Sequence, residues 1–138
     1  EVGRARRYDK AFGFLMVDVD HFKKINDNFG HDKGDSVLQS IAHLLSSSLR
    51  ENDTLIRWGG EEFVAIAVEL DEANLALLCD KLRQKIAATN FDGVGQVTIS
   101  IGATLFNNND SQDELLARAD KALYQAKAEG RNKSVYSK

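Results

Sequence analysis

The chain has 138 residues, 43% of them hydrophobic and 28% charged, and a formal net charge of −3. That composition describes one soluble domain over residues 1–138 with a real core, and it excludes a broad basic surface for a nucleic-acid polymer or a membrane, though not a small anion held by local cations. The single Cys79 excludes an internal disulfide and fits a reducing, cytoplasmic setting, and no run approaches the roughly 18 apolar residues of a transmembrane helix.

Residues Glu1 to Lys10 are polar and basic and read as the end of a helix entering the domain. The chain does not begin with Met, so it reads as excised from a longer protein, whose location as a soluble or membrane-anchored molecule is left open. Phe12 to Val19 is a nearly continuous apolar run, the pattern of a central strand buried on both faces. It ends in Asp18 and Asp20, which extended chain points to one side. Phe22 to Phe29 reads as a short helix stopped by Gly30. His31 to Asp35 reads as a turn leading into a helix with Val37, Leu38, Ile41, Leu44, Leu45 and Leu49 on one face.

Two strand-like runs come next, Thr54 to Ile56 and Phe63 to Val68. Gly59 and Gly60 between them predict a tight hairpin, because glycine tolerates positive φ. Trp58 reads as a packing residue on that hairpin. Leu75, Leu78, Leu82 and Ile86 mark a second long helix, capped by Asp71, with Cys79 on its apolar side as a core residue. Gln96 to Phe106 alternates as a strand. Ser111 to Glu114 is a capping-box pattern opening a third long helix, which Gly130 stops. Ser134 to Tyr136 completes the chain as an edge strand. This order is α+β, and its simplest architecture is a βαββαβ ferredoxin-like core with a central antiparallel sheet and the helices on one face.

In that architecture the first strand sits beside the hairpin. A Gly-Gly turn with acidic neighbours is, taken alone, a common solvated loop, and Asp18 and Asp20 can equally be solvated turn residues. Together, Asp18 and Glu61 are two distant acids that the topology brings to one end of the sheet. Oxygen-loving Mg²⁺ or Mn²⁺ needs such a convergence.

Asp18-Val19-Asp20-His21-Phe22-Lys23-Lys24-Ile25-Asn26-Asp27 resembles the D-x-D-x-F-K-x-x-N-D motif of the GGDEF family. Gly59-Gly60-Glu61-Glu62-Phe63 is similar to its signature loop in the GGEEF form. Asn26, Gly30-His31 and Gly34-Asp35 are similar to its nucleotide-binding segment. Thr98 to Gly102 and Ala119 to Lys127, continuing through Gly130-Arg131-Asn132, resemble its later motifs. The family's opening D-x-L-T-G-L-x-N-R segment is absent, and Gly3-Arg4 to Arg7 reads as a remnant of the stretch that succeeds that segment.

The resemblance implies a palm-like nucleotidyl cyclase fold and a diguanylate cyclase that makes cyclic di-GMP from two GTP. It implies that Asp18 and Glu61, with the Val19 carbonyl, hold two Mg²⁺ or Mn²⁺ ions per active site. Glu61 is the candidate catalytic acceptor of the proton, or acts by holding the metal that acidifies the hydroxyl, and Glu62 shapes the loop or assists the metal site. Asn26 and Asp35 would read the guanine edge, with His31 lining the nucleoside site. The amides of Phe22 and Lys23, together with Lys127 and Arg131, would hold phosphates, and Gly59 and Gly60 would leave room for them. Lys127 and Arg131 also sit where a helix C-terminus favours cations.

One domain offers one such site, so joining two GTP molecules symmetrically implies a homodimer, with an upstream sensory domain governing the encounter. Arg50 and Asp53 resemble the family's R-x-x-D inhibitory site for cyclic di-GMP; their plain reading is a surface ion pair. Two other functions stand beside the cyclase: a silent sensor that binds GTP or cyclic di-GMP, and a cyclase for other purines. Asp35 argues against the last, because a carboxylate there accepts from guanine N1 and N2 donors. His21 and His43 have no catalytic part in any of these readings.

Overall fold

The computed structural model describes residues 12–107 and 109–138. The basic opening stretch Glu1 to Lys10, including Gly3 to Arg7, lies outside the described residues. In chain order the elements are β1 (Gly13–Val19), α1 (Phe22–Phe29), α2 (His31–Ser48), β2 (Thr54–Arg57), β3 (Glu62–Ala67), α3 (Glu72–Ala87), β4 (Asn90–Phe91), β5 (Gly95–Gln96), β6 (Ile99–Leu105), α4 (Gln112–Ala128) and β7 (Ser134–Ser137). Five strands form one sheet in the order β2-β3-β1-β6-β7. β1 runs antiparallel to both β3 and β6, β2 runs antiparallel to β3, and the edge strand β7 runs parallel to β6. The first four strands of that order are the ferredoxin-like arrangement, with β1 at the centre and the hairpin beside it.

Every residue of β1 is buried. Leu15, Val17 and Val19 point to one face, where they meet Val37, Ile41 and Leu45 of α2 and Leu75, Cys79, Leu82 and Ile86 of α3. Phe14 and Met16 point to the other, with Val64, and there Leu115, Ala119 and Leu123 of α4 cover them. The helices therefore flank the sheet on both faces rather than one. The reason is legible in β1 itself: an unbroken apolar run cannot leave either face in water. Each large side chain buried there is worth about 1.5–3 kcal/mol.

α4 can lie this close because β6 carries Gly102. A Cβ at that position would stand 2.2 Å from the Leu123 nitrogen and 2.3 Å from the Ala119 carbonyl oxygen. Strand glycines often mark such backbone approaches.

The helix ends obey their sequence signals. The Asp71 side chain accepts from the Asn74 amide at 2.8 Å. Ser111 and Glu114 form a reciprocal capping box. After α4, the Arg131 amide donates to the Ala126 carbonyl and the Gly130 amide to that of Lys127, a Schellman closure with Gly130 at φ 119. Cys79 is buried, and burial pushes its thiol up to about 12, so it is an inert core residue.

Three local expectations are corrected. His31 to Asp35 is not a turn: α2 begins at His31, because Gly30, at φ 88, changes the chain direction by itself and Gly34 donates to Gly30 inside the new helix. The strand read over Gln96 to Phe106 is Ile99–Leu105, and Gln96 belongs to a separate β4–β5 hairpin that its two-residue strands made hard to see. Trp58 is not packed; it stands 52% exposed at the hairpin tip, because β2 is an edge strand.

Candidate active site

The register puts three polar positions side by side where β1 ends. Asp18 pairs with Glu62 of β3 on one side and Ser100 of β6 on the other. Directly paired antiparallel residues share a face, so Asp18 and Glu62 point the same way, toward α4. The hairpin tip is then drawn onto β1. Trp58 and Gly59 donate their amides to the Glu62 carbonyl at 2.8 and 3.3 Å, and the Val19 amide donates to the Glu61 carbonyl at 3.2 Å. The Glu61 carboxyl comes near enough to Asp18 for the two negative charges to repel. From α4, the Lys127 ammonium donates to Asp18 Oδ2. Asp18 is only 4% exposed, so the carboxylate end of this pair is shielded from bulk water while Lys127 stays partly exposed.

Negative charge dominates the site. Burial holds Glu61 above the usual carboxylate range, and the neighbouring Asp18 and Glu62 charges push the same way while Lys127 opposes them. Glu62 is raised likewise, first by burial and then by Asp18, with Lys127 opposing and Asp120 adding. Crowded carboxylates with one nearby ammonium favour a further cation.

Among the described residues no three His, Cys, Asp or Glu side chains form a closed cation cage. The expected donors, the carboxylates of Asp18 and Glu61 with the Val19 carbonyl, are hard oxygens and too few to fill a coordination sphere. That fits Mg²⁺ or Mn²⁺, which keep positions for water and phosphate.

The remaining predicted residues lie on α1, α2 and α4 and in the turn after α4. α1 starts from His21 at φ 56, and no side chain caps that end. Its first-turn amides, including those of Phe22 and Lys23, have no acceptor within the helix and suit an anion. Asn26 Oδ1 is buried and without a hydrogen-bond partner. A Cβ at Gly34 would strike that oxygen at 1.9 Å, so Gly34 is what lets the Asn26 amide sit between α1 and α2. His31 and Asp35 lie exposed on the first turns of α2. Lys127 is in the last turn of α4, and Arg131 is exposed just beyond it.

Gly59 and Gly60 correct an expectation. Neither has positive φ, unlike Gly30, Gly93, Gly95 and Gly130. A Cβ at Gly60 would meet nothing within 4 Å, and one at Gly59 only the Glu62 carboxylate at 3.7 Å. The turn does not need them as glycines. They leave open space beside the carboxylates.

Arg50 and Asp53 form a separate cluster. The Asp53 side chain is 1% exposed; it accepts from the Arg50 amide at 2.9 Å and from the Val68 amide at 3.0 Å. Arg50 reaches the Val68 carbonyl and leaves 59% of its side chain exposed. The pair thus staples the loop before β2 to the end of β3. It also lines a cavity of about 250 Å³ together with Ser48, Asn74 and Lys81.

Asp20 is the residue whose place sequence reasoning missed. It is 5% exposed and accepts from the Thr98 and Ser100 hydroxyls and from the Asn132 amide. The available signal is the pair of hydroxyls at alternate positions of an otherwise apolar strand.

A ferredoxin-like sheet whose central strand ends in carboxylates meeting those of a neighbouring hairpin is the architecture of nucleotidyl cyclase domains. Within that class the chain belongs to the GGDEF family: the model described as "Diguanylate cyclase, GGDEF domain" matches residues 1–133. It is 42% identical over 122 residues to diguanylate cyclase DgcM of Escherichia coli (strain K12), covering 88% of this chain and 30% of that protein. The chain therefore spans less than a third of that relative. Among solved structures it is similar to the active GGEEF domain of a diguanylate cyclase from Vibrio cholerae, with TM-score 0.90 and 33% identity over 99% of this chain and 88% of that one. It is also similar to the GGDEF domain of DgcB from Caulobacter crescentus in complex with c-di-GMP, with TM-score 0.90 and 27% identity over 97% and 82% of the two chains. Among the described residues no helix is long and apolar enough to cross a membrane.

Proposed function

We propose that this domain is an active diguanylate cyclase that condenses two GTP into cyclic di-GMP as a two-fold dimer. The observation that carries the reading is the meeting of Asp18, Glu61 and Lys127 at the end of β1, with Glu62 alongside. The neighbouring open space at Gly59 and Gly60 and the unpartnered Asn26 Oδ1 support it.

The 3′-hydroxyl oxygen of one GTP attacks the α-phosphorus of the other. A new phosphodiester bond forms, the bond to the β-phosphate bridging oxygen breaks, and pyrophosphate leaves. Repeating the step with roles exchanged closes the ring. Such transfers depend on positioning and charge stabilisation. Asp18 and Glu61 are the residues to hold two Mg²⁺ or Mn²⁺ ions, with the Val19 carbonyl and with Glu62 in support. When bound, such ions acidify the attacking hydroxyl and stabilise the departing oxygen. Glu61 takes the 3′-hydroxyl proton. Asn26 and Asp35 bind the guanine edge and His31 lines the nucleoside. Lys127, Arg131 and the amides of Phe22 and Lys23 hold phosphate oxygens. The c-di-GMP in the DgcB domain fits the same product.

Incubating concentrated protein with GTP and Mg²⁺ and separating the nucleotides tests the reading. Cyclic di-GMP is the expected product, and ATP should compete poorly with GTP. No product even from a chain fused to a dimerising segment would overturn it. Binding of GTP or cyclic di-GMP without turnover would point to the silent sensor instead.

Gly60→Ala separates fold from function. Its Cβ meets nothing, so melting should be unchanged, while the methyl occupies the space assigned to the triphosphate and GTP binding falls about tenfold. Unaltered GTP affinity would mean that the phosphates lie elsewhere.

Product inhibition is assigned to the Arg50 cluster, because the exposed guanidinium can pair with guanine acceptors or phosphate while the buried Asp53 holds its loop. Arg50→Ala should leave initial rates intact and raise the inhibition constant for cyclic di-GMP by about tenfold or more. An unchanged inhibition curve would put the regulatory site elsewhere.

A further inference from the structure

Asp20 is a buried acid with no part in the mechanism above. Both of its oxygens are in use: Oδ1 accepts from Ser100 Oγ at 2.6 Å, and Oδ2 accepts from Thr98 Oγ1 at 2.7 Å and the Asn132 amide at 3.0 Å. Its own amide donates to the Thr98 carbonyl at 2.9 Å. Its side chain thus joins two hydroxyls at and just before the start of β6 to the turn after α4.

That turn is an unfavourable one. Arg131 and Asn132 are consecutive non-glycine residues at φ 65 and φ 48, a left-handed conformation that Asn tolerates but that an arginine resists. It persists because bonds hold it from several sides. The Arg131 amide donates to the Ala126 carbonyl at 3.0 Å, the Ile101 amide to the Lys133 carbonyl at 2.9 Å, and an Arg83 guanidinium N–H to Asn132 Oδ1 at 3.3 Å. Among these, it is the Asp20 bond that ties the turn to the chain segment carrying Asp18. A carboxylate suits the place because it accepts three donors at once and presents none of its own.

We propose that Asp20 is a positioning residue for phosphate recognition, locking the 131–132 turn against β6 so that Arg131 stands at a set place relative to Asp18 and Lys127. This rests on the cyclase reading, which makes Arg131 a phosphate ligand. A role in stability alone would weaken every ligand alike; positioning weakens only what Arg131 touches.

GTP binding is measured in Mg²⁺ for the wild type, Asp20→Ala, Arg131→Ala and the double variant, and guanosine, which has no phosphate, is measured by competition. Asp20→Ala should weaken GTP by about tenfold or more, leave guanosine within about twofold, and add little in the Arg131→Ala background. Equal loss of GTP and guanosine, additive effects with Arg131→Ala, or unchanged GTP affinity would each overturn the proposal. Should Asp20→Ala fail to fold, Asp20→Asn keeps the shape and an acceptor oxygen, and the same selective loss, smaller in size, is expected of it. A wild-type chain that binds neither ligand would defeat the cyclase reading itself. A wild type that binds both, with Asp20 variants showing no selectivity, defeats only the role given to Asp20.

Discussion

Glu61→Gln is expected to lower the rate of cyclic di-GMP formation by about 10²–10⁴-fold, the range for removing a positioned acid or base, while GTP affinity falls far less. The substitution keeps the size of the side chain and removes its charge. The Asp18 and Lys127 pair and the residues proposed to hold phosphate remain, so on the proposed reading substrate keeps most of its contacts. Steady-state kinetics with a separate binding titration decides the matter. Equal losses in turnover and affinity would make Glu61 a binding residue, and retained turnover would remove it from the chemistry.

The same variant should be more stable than the wild type. Burial and the Asp18 charge raise the Glu61 carboxyl above its ordinary value. A carboxyl raised in the folded state holds its proton more tightly there than in the unfolded chain. Its favourable contribution is complete below the unfolded value and is lost as pH rises through the folded one. At neutral pH the ionised Glu61 is therefore a repulsive neighbour. Glu61→Gln should melt above the wild type near pH 7 in chelator, and the gap should close in acid as the wild-type carboxyl takes up its proton. A variant that melts lower at every pH would show that the Glu61 charge is not a net repulsive neighbour in the folded domain.

Gly102→Ala is the second large effect, and it acts through the fold. The new methyl would lie 2.2 Å from the Leu123 nitrogen, 2.3 Å from the Ala119 oxygen and 2.7 Å from Leu123 Cα. All three are backbone atoms of α4, so no side chain can swing away to relieve the contact. α4 must lift from the sheet, loosening Leu115, Ala119 and Leu123 over Phe14 and Met16 and withdrawing Lys127 from Asp18. A loss of about 3 kcal/mol or more is expected from overpacking at so rigid a site, near 10 °C or more in melting temperature for a domain of this size. Thermal melts of Gly102→Ala beside Gly60→Ala make the comparison. If the two melt within a degree or two of each other, α4 does not seat on Gly102 as described.

The contrast between these glycines shows what sequence reasoning reached and where it stopped. Gly59 and Gly60 read as turn formers because paired glycines between strands usually are, yet their backbone needs no glycine; what they leave is open space beside Glu62. Gly102 reads as one step in an alternating strand, and nothing local announces that a helix backbone lies against it. Asp20 reads as a companion of Asp18 because extended chain points both to one side. It does share that side, but its oxygens go to residues 78 to 112 positions away, a distance no local pattern spans.

Periodicity and end signals are local, and they determined the main strands and helices, the central burial of β1, the capping box and the acidic ends of β1 and the hairpin. The motif order determined the family. The pairing of Asp18 with Glu62, the seating of α4 on the second face, the carboxyl crowding that raises Glu61 and the anchoring of the Arg131 turn came only with the tertiary structure. Each depends on strand register or on contact between elements distant in the chain, and side-chain period alone carries no information about which strand lies next to which.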